Sequence, residues 1–348
     1  MSAKLVRCIL LISAVASIIQ PVSSLAQDGK GAPPSVDLRT LPPGPRPIPV
    51  TVGAYLIDIE RIEETTGTYT VAAYLELEWR DPRLAREVAS GLDRSRLTLQ
   101  EIWWPNIELY NQYDPRNTAN LHLSIKDDGT VVYEERFRAR LGSDLNFRFF
   151  PFDSQDLPLQ IESFRYDASQ VSLVSRPGRQ LKSPSAFLPD WFIGTVSERL
   201  GVDKNNPEER PYAHYVLTTR VERKWISYLW NVFLPLGLIT ALSWVAFWIR
   251  NKDMSNISIT TLVAAVAFTF VVSGGRPRLS YMTFMDSIFL SSYLIIFLAN
   301  VAAVAVHYFD GGNPGKARLL ALRSRWLFPL LYLALLGLSL GSFLLRQK

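Results

Sequence analysis

The sequence is poor in the residues that most often bind metals or form disulfides. It has one cysteine and three histidines among 348 residues. A single cysteine, Cys8, excludes a disulfide within the chain. The histidines (His122, His214 and His307) are far apart, and none has the spacing of a metal-ligand set. A glycine-rich phosphate loop is also missing. We therefore predict no metal site, no cofactor, no catalytic residue and no enzyme activity.

A strong excess of one charge sign is also missing. Lysine and arginine number 37, aspartate and glutamate 32, and the formal net charge is +5. This balance is too mild to indicate a nucleic-acid partner, and none is predicted. In a membrane protein, a small basic excess is typical of the cytoplasmic loops.

Residues 1–26 have the features of a secretory signal peptide. Lys4 and Arg7 precede an apolar run from Cys8 to Ile19, and small residues close the segment at Ala26. An uncleaved membrane anchor is the alternative, although the run is shorter than the ~20 residues that a spanning helix needs. We expect residues 27–224 to form a domain outside the cytoplasm.

Residues 27–224 contain short runs in which apolar and polar side chains alternate. After a proline-rich start, the clearest period-two patterns lie at 50–62 and 68–79. Further strand-like runs lie at 121–125, 131–137, 157–163, 171–174, 191–200 and 212–221, with turn signals between them. Many short strands at this spacing predict an extracellular antiparallel β-sandwich.

Four apolar segments follow, at 225–249, 254–273, 283–309 and 326–345. Each is near the ~20 residues that span a bilayer, so we predict a four-helix transmembrane domain over 225–348. With the sandwich outside, the basic turn at 250–252 and the basic linker at 316–325 lie in the cytoplasm, as the positive-inside preference requires. Basic residues at 276, 278, 346 and 348 lie outside, so the agreement is partial.

The second apolar segment carries a stripe of residues at spacings of three and four, which share one helical face. They are Asp253, Asn256, Thr260, Val263, Ala267 and Phe270. Packing against neighbouring helices is one interpretation. We favour a pore lining, in which several copies form polar rings below an apolar constriction at Val263 and Phe270. The carboxylate of Asp253 favours cations in such a pore.

The soluble half contains aromatic residues and carboxylates that suit a cationic ligand. They are Glu108, Tyr110, Glu162, Phe164, Tyr166, Tyr212 and Tyr215. The segments that carry them are expected to converge at a subunit boundary. Ring faces and carboxylates both attract ammonium groups, so such a set favours a cationic ligand. The alternative is that these aromatic residues belong to the core of the sandwich.

Residues 150–155, Phe-Pro-Phe-Asp-Ser-Gln, resemble the signature loop of the pentameric ligand-gated ion channels, the Cys-loop receptor family. The resemblance extends over about 50–345 and includes 79–84, 102–105 and 233–235. Two cysteines close this loop in animal members. Ser143 and Leu157 stand at the corresponding positions here, as in the bacterial branch.

The resemblance implies a homopentameric channel in a bacterial inner membrane, with several membrane passes per subunit. Its expected partners are four identical subunits, a small-molecule agonist, permeating monovalent cations and membrane lipid. In the family, the agonist binds between subunits. Glu162 and Phe164 match positions of an amine-gated bacterial member, whereas Gly67 and Ala265 occupy two positions linked to proton gating in an acid-gated member.

The resemblance also implies that Glu64 and Asp153 meet Arg223 near the membrane. This cluster would couple the sandwich to the loop that contains Pro277, because charge pairs can exchange partners between discrete states. A purely structural role is the alternative. For the whole chain, the rival interpretation is a membrane-anchored ligand-binding sensor that does not conduct ions.

Overall fold

The computed structural model describes residues 37–86, 93–178, 180–204, 210–249, 254–273 and 279–345. The predicted signal peptide at 1–26, Asp253 and Pro277 lie outside these ranges. Asn256 lies in a helix, but only its backbone belongs to the described part of the chain.

The described residues before 224 form nine strands in two sheets. The strands are β1 (Ile48–Glu63), β2 (Thr68–Arg80), β3 (Ile107–Leu109), β4 (Asn117–Ile125), β5 (Thr130–Gly142), β6 (Ser154–Ser163), β7 (Val171–Ser175), β8 (Trp191–Asp203) and β9 (Tyr212–Arg223). The first sheet has the order β4-β5-β2-β1-β7, and the second has the order β3-β6-β9-β8. This confirms the predicted β-sandwich.

Two details of the sandwich differ from the sequence-based prediction. The chain crosses from the second sheet back to the edge of the first, so β7 pairs with β1 in parallel rather than antiparallel. Strand β3 was not predicted, because its three residues are too few to show a period-two pattern.

The core lies between the sheets and follows the alternation seen in the sequence. Along β2, the side chains of Leu75, Leu77 and Trp79 are buried, whereas the glutamates between them are half-buried. Trp79 meets Trp103 edge-on, with ring centroids 6.2 Å apart. Each large apolar side chain buried in this way contributes about 1.5–3 kcal/mol, which holds the two sheets together without a disulfide.

Four helices follow the sandwich in the described part of the chain. They are α1 (Ile226–Trp248), α2 (Met254–Ser273), α3 (Phe284–Asp310) and α4 (Pro314–Leu345). Among the described residues, α1, α3 and α4 are long and apolar enough to cross a membrane, and α2 has a shorter apolar stretch at Ile259–Val272.

Helix α4 begins earlier than expected. We predicted a linker over about 310–325, but only three residues separate α3 from α4, at 311–313. Lysine, alanine, arginine and leucine fill positions 316–323, and all of them favour a helix. The basic segment before the apolar run is therefore the first part of α4 rather than a separate linker.

Pro235 interrupts the regular geometry of α1. A π-helical turn at Leu229–Phe233 directly precedes the α-helical segment Leu234–Val245, in which Pro235 is the second residue. Proline has no N–H to donate and its ring crowds the carbonyl of the preceding turn. A wider turn at this point accommodates both effects.

Candidate functional site

A row of titratable side chains crosses the second sheet. Glu108 in β3 lies opposite Glu162 in β6, and Glu162 lies opposite His214 in β9. All three residues are half-buried. Directly opposed carboxylates repel one another when both are ionised, and a positive charge near them would reduce this repulsion.

The pKa values in this row are shifted from their usual ranges. Burial raises the pKa of Glu162 to about 7, and the charges of Glu108 and Asp203 add to the effect. Burial also raises the pKa of Glu108, opposed by the Arg116 guanidinium. Burial lowers the pKa of His214, although Asp203 acts in the other direction. The charge of the row therefore changes near neutral pH, and a bound cation favours its ionised form.

Exposed aromatic rings lie beside this row. Phe164, which directly follows β6, is 67% exposed, and its N–H donates to the Asn106 carbonyl at 3.0 Å. Tyr212, the first residue of β9, is half-buried. Tyr110 is exposed, and its ring meets that of His214 edge-on at 6.2 Å. These rings and the carboxylates together form what we call the carboxylate–aromatic surface: Glu108, Tyr110, Glu162, Phe164, Tyr212 and His214.

Two predicted ligand residues do not join this surface. Tyr215 is fully buried in the core, where its hydroxyl donates to Glu198 at 2.8 Å. Tyr166 is half-buried and packs 5.6 Å from Trp103. Successive residues of a strand face opposite sides of the sheet. His214 faces outward, and the next residue, Tyr215, therefore faces the core. The same alternation places His214 on the same face of β9 as Tyr212. Our sequence analysis did not use this alternation and did not predict His214 as a site residue.

The outer face of the first sheet carries a groove of about 680 Å³. The strand register aligns Tyr55, Tyr74 and Arg136 across β1, β2 and β5. Glu134 accepts a hydrogen bond from the Tyr74 hydroxyl, and His122 lies opposite Glu134 in β4. None of these residues was predicted as a site residue, because each follows the ordinary alternation of a strand.

Helix α2 presents one exposed face. It packs against α1 and α3, and Thr261 and Ala265 are buried on that side. The predicted pore residues with described side chains are all exposed on the other side: Thr260, Val263, Ala267 and Phe270. Ile259, Val266 and Val271 flank them and are also exposed, which we did not predict. The single subunit thus leaves uncovered a strip wider than the predicted stripe.

A charge cluster occupies the end of the sandwich that faces the helices. The Arg223 Nε lies 2.7 Å from Asp153 Oδ1, and Arg223 Nη1 lies 2.6 Å from Glu64 Oε1. Arg223 ends β9, Asp153 directly precedes β6, and Glu64 directly follows β1. Three strand ends therefore meet at one guanidinium, which we call the Arg223 junction.

The Arg223 junction is shielded from water. The Arg223 guanidinium lies 4.1 Å from the Trp191 ring centre and 4.6 Å from that of Phe150. Gln155 Nε2 donates to Asp153 Oδ2 at 2.6 Å. Burial raises the pKa of Glu64, and the Arg223 charge opposes this shift. Exclusion of water makes each of these charge-assisted hydrogen bonds stronger than it would be at the surface.

The signature loop connects this junction to the helices. The Phe147 N–H donates to the Tyr281 hydroxyl at 3.0 Å, and the Phe284 N–H donates to the Arg148 carbonyl at 2.7 Å. Phe152 stacks on Phe233 of α1, with ring centroids 6.1 Å apart. The loop is thus attached to the starts of both α1 and α3. Pro277, the predicted coupling residue, lies outside the described residues.

The chain consists of a β-sandwich followed by four helices, with a buried charge cluster where the two parts meet. One of the helices, α2, has an exposed face. This is the architecture of a ligand-gated channel subunit. Residues 37–221 match the family described as the neurotransmitter-gated ion-channel ligand binding domain. Residues 232–331 match the neurotransmitter-gated ion-channel transmembrane region. The chain belongs to this family, the pentameric ligand-gated ion channels of the Cys-loop receptor type, whose members are channels rather than enzymes.

Individual relatives agree with this assignment. A proton-gated ion channel of Gloeobacter violaceus is 32% identical over 298 residues, covering 84% of this chain and 83% of the relative. A gamma-aminobutyric acid receptor subunit beta-like protein of Drosophila melanogaster is 26% identical, covering 91% and 67%. The human gamma-aminobutyric acid receptor subunit rho-2 is 28% identical, covering 78% and 61%.

Asp153→Asn is expected to destabilise the protein by about 3–5 kcal/mol, because it leaves a buried guanidinium without its most buried charge partner. Glu64→Gln is the matched control. It removes the other carboxylate of the junction, whose side chain is 20% exposed to water, so its cost is expected to be smaller. Thermal unfolding of the detergent-solubilised protein measures both variants. Equal losses would show that the burial of Asp153 does not set the strength of the junction.

Proposed function

We propose that the chain forms a homopentameric, cation-selective channel that a small amine opens by binding between subunits. The observation that carries the amine proposal is the pair of opposed carboxylates, Glu108 and Glu162, beside the exposed ring of Phe164. The proposed location is the bacterial inner membrane, with the sandwich outside the cytoplasm. Each subunit would assemble with four identical copies, two of them as direct neighbours in the ring, and would also bind the agonist, permeating monovalent cations and lipid.

The carboxylate–aromatic surface has the chemistry of an ammonium site. A carboxylate supplies charge, and a ring face attracts a cation by about 0.5–2 kcal/mol depending on its exposure. Phe164 is the most exposed ring of the set, so a ligand can reach its face. Tyr215 is left out of the proposed site because it is buried, and Tyr166 because it packs in the sandwich.

A cyclic pentamer supports a site shared between two subunits. In a ring, each interface joins one surface of a subunit to a different surface of the next. The groove of about 680 Å³ on the first sheet is our candidate for the second half of the site. Tyr55 and Tyr74 offer further rings there, and Arg136 offers a partner for an anionic group of the ligand. An ω-amino acid, such as the one named in several relatives, has both charges that these two halves would bind.

Amine binding is expected to tighten as the pH rises through about 7, because the pKa of Glu162 is raised to about 7 and the ionised carboxylate attracts ammonium. Alkyl ammonium groups stay protonated over this range. For a single group that binds the amine only when it is ionised, the affinity should rise about ten-fold between about pH 6 and about pH 8. Equilibrium binding of a radiolabelled amine to the detergent-solubilised pentamer measures this change.

Two variants separate the contributions of charge and ring. Glu162→Gln should weaken binding and remove the pH dependence, since an amide does not titrate in this range. Phe164→Ala should weaken binding several-fold to about tens-fold at every pH and leave the pH dependence in place. A pH dependence that survives Glu162→Gln would assign the titration to another group, and an unchanged affinity of Phe164→Ala would exclude this surface.

Val263 and Phe270 are the proposed constriction of the pore. Both side chains lie on the exposed face of α2, and rings of apolar side chains can close a narrow pore by dewetting. Val263→Ser is expected to ease opening, with more spontaneous current and a lower agonist concentration at half-maximal response. Ala264→Ser, one position around the helix, is the matched control. Planar-bilayer recordings in which the two variants behave alike would locate the gate elsewhere.

Cation selectivity is proposed from Asp253 at the cytoplasmic end of the pore stripe. In the sequence, Asp253 is three residues before Asn256, and successive residues of a helix are about 100° apart, so a helical register would place Asp253 on the stripe and Lys252 off it, with a stem long enough to reach the cytoplasm. A ring of aspartates favours cations. Asp253→Asn should therefore reduce the cation preference, and Lys252→Gln should change it little. Reversal potentials under a salt gradient measure both, and a wild-type value near the chloride equilibrium potential would contradict the proposal.

Proton gating is the second candidate function. The raised pKa of Glu162 favours it, and one relative carries the name of a proton-gated channel. The two positions linked to proton gating in the acid-gated member are occupied here by Gly67, in the β1–β2 turn, and by the fully buried Ala265. Neither side chain titrates, so proton gating would need another group. Current evoked by a pH step without any amine, and lost in Glu162→Gln, would favour protons over amines. Absence of current under every condition would favour a non-conducting sensor.

A further inference from the structure

One side of the sandwich is formed by the edge strands of both sheets. Strand β7 ends the first sheet and β8 ends the second, and the two strands contact each other. Packed sheets are about 10 Å apart, which is too far for backbone hydrogen bonds between them. Hydrogen bonds across this side therefore need side chains.

Glu198 in β8 connects the two sheets on this side. It accepts a hydrogen bond from the hydroxyl of Ser175, the last residue of β7. Its other carboxylate oxygen, Oε2, accepts a hydrogen bond of 2.8 Å from the hydroxyl of Tyr215 in β9. One carboxylate therefore joins three strands in two sheets, and we call this arrangement the Glu198 bridge.

The buried partner distinguishes the bridge from an ordinary surface contact. Glu198 is exposed, and an exposed carboxylate usually contributes little to stability. Tyr215, however, is fully buried, and a buried hydroxyl that loses an acceptor keeps the cost of its removal from water. Loss of the Glu198 carboxylate is therefore expected to cost more than its exposure alone indicates.

The first sheet holds the Ser175 end of the bridge in place. Arg176 directly follows Ser175, and its N–H donates to the Val52 carbonyl of β1 at 3.1 Å. Its guanidinium pairs with Glu76 and Glu78 of β2, and Nη1 lies 2.7 Å from Glu76 Oε1. The bridge is thus attached next to a residue that contacts two further strands of the first sheet.

A second side-chain contact crosses the same side near the start of β8. Lys182 Nζ donates to the Gly194 carbonyl at 2.6 Å. Residues 181–183 are held beside Leu56 of β1 by two backbone hydrogen bonds, of 2.9 and 2.8 Å. This contact fixes the first part of β8. The Glu198 bridge fixes the part that follows, which runs toward the end of β9 that carries the carboxylate–aromatic surface.

The bridge lies beside the proposed ligand residues of β9. Tyr215 directly follows His214 and is three residues from Tyr212, about 10 Å along an extended strand. His214 lies opposite Glu162 in the register of β6 and β9. A contact that fixes Tyr215 against the first sheet therefore also fixes the carboxylate–aromatic surface.

The orientation of the two outward faces matters in a closed ring. The carboxylate–aromatic surface is on the second sheet, whereas the groove that contains Tyr74 is on the first. In the proposed ring, each interface joins the first of these faces to the second face of the next subunit. The angle between the two faces within a subunit therefore decides how the halves of every ligand site meet.

We propose that Glu198 is a positioning residue of the ligand site, an inference that rests on the proposed function. Its carboxylate does not touch the ligand. It fixes β9 and the second sheet against the first sheet, so that the two halves of the site meet in the orientation that binds the amine.

The amine affinity of the detergent-solubilised pentamer tests the proposal. Glu198→Ala removes the bridge and should weaken binding of the radiolabelled amine about five-fold or more, the net contribution of a hydrogen bond. Glu198→Gln keeps an oxygen that accepts from Tyr215 and an amide group that donates to Ser175, so it should retain most of the affinity. Equal losses in both variants would assign the effect to the charge of Glu198 and overturn the positioning role.

Glu222→Ala is the matched control. Glu222 is an exposed glutamate of β9 that takes no part in the bridge, so its removal should leave the affinity unchanged. Ser175→Ala extends the test to the other sheet and should weaken binding. The double variant with Glu198→Ala should bind no more weakly than Glu198→Ala alone, because both changes remove the same bridge. Additive losses would contradict the proposal.

Hydrogen exchange tests the bridge without any ligand. Amides in residues 199–203 and 212–216 are expected to exchange about five-fold faster or more in Glu198→Ala, and near the wild-type rate in Glu198→Gln. Unchanged exchange in Glu198→Ala would overturn the bridge. Faster exchange with unchanged amine affinity would make Glu198 a structural residue only. If the wild-type protein binds no amine, the proposed function fails, and exchange alone decides whether Glu198 fixes β9.

Discussion

The buried guanidinium of Arg223 is the interaction on which the rest of the molecule depends. It joins the ends of β1, β6 and β9 through Glu64, Asp153 and its own strand, under the rings of Trp191 and Phe150. A charge removed from water is costly unless all of its partners are present, so these strand ends are constrained to meet. The signature loop continues directly from this point to α1 and α3. The sandwich and the helices are therefore connected here by a small number of specific contacts.

The two sheets have different outward faces, because side chains along each strand alternate between the core and the surface. On the second sheet, the outward residues of β3, β6 and β9 form the carboxylate–aromatic surface, whereas their neighbours fill the core. On the first sheet, the outward residues form a groove with both charge signs. Each sheet thus has one face in the core and one outward face, and in the proposed ring of subunits the carboxylate–aromatic surface of one subunit would meet the groove of the next. The agonist would then act on the relative position of two subunits as well as on one of them.

Much of this organisation could be predicted from the sequence, and the exceptions have physical reasons. Period-two patterns were sufficient for eight of the strands, and β3 was missed because three residues carry no period. The meeting of Glu64, Asp153 and Arg223 came from the resemblance to a family, since nothing in their spacing indicates contact. Tyr215 was placed with the ligand residues because it is aromatic, but its position in the alternation of β9 sends it inward. The width of the exposed α2 face depends on how the helices pack. The early start of α4 depends on the helix propensity of its basic residues. Hydropathy alone predicts neither feature.

The signature loop of this protein is closed without a covalent bond. The Asn146 N–H donates to Gln155 Oε1 and Gln155 Nε2 donates to the Asn146 carbonyl, both at 2.9 Å. Ser143 Oγ donates to the Asp156 carbonyl at 3.0 Å, beside Leu157. These amide and hydroxyl bonds stand where animal relatives have a pair of cysteines. Because the chain has a single cysteine, at position 8, the loop has no disulfide to reduce, so a reductant is expected to leave these contacts intact.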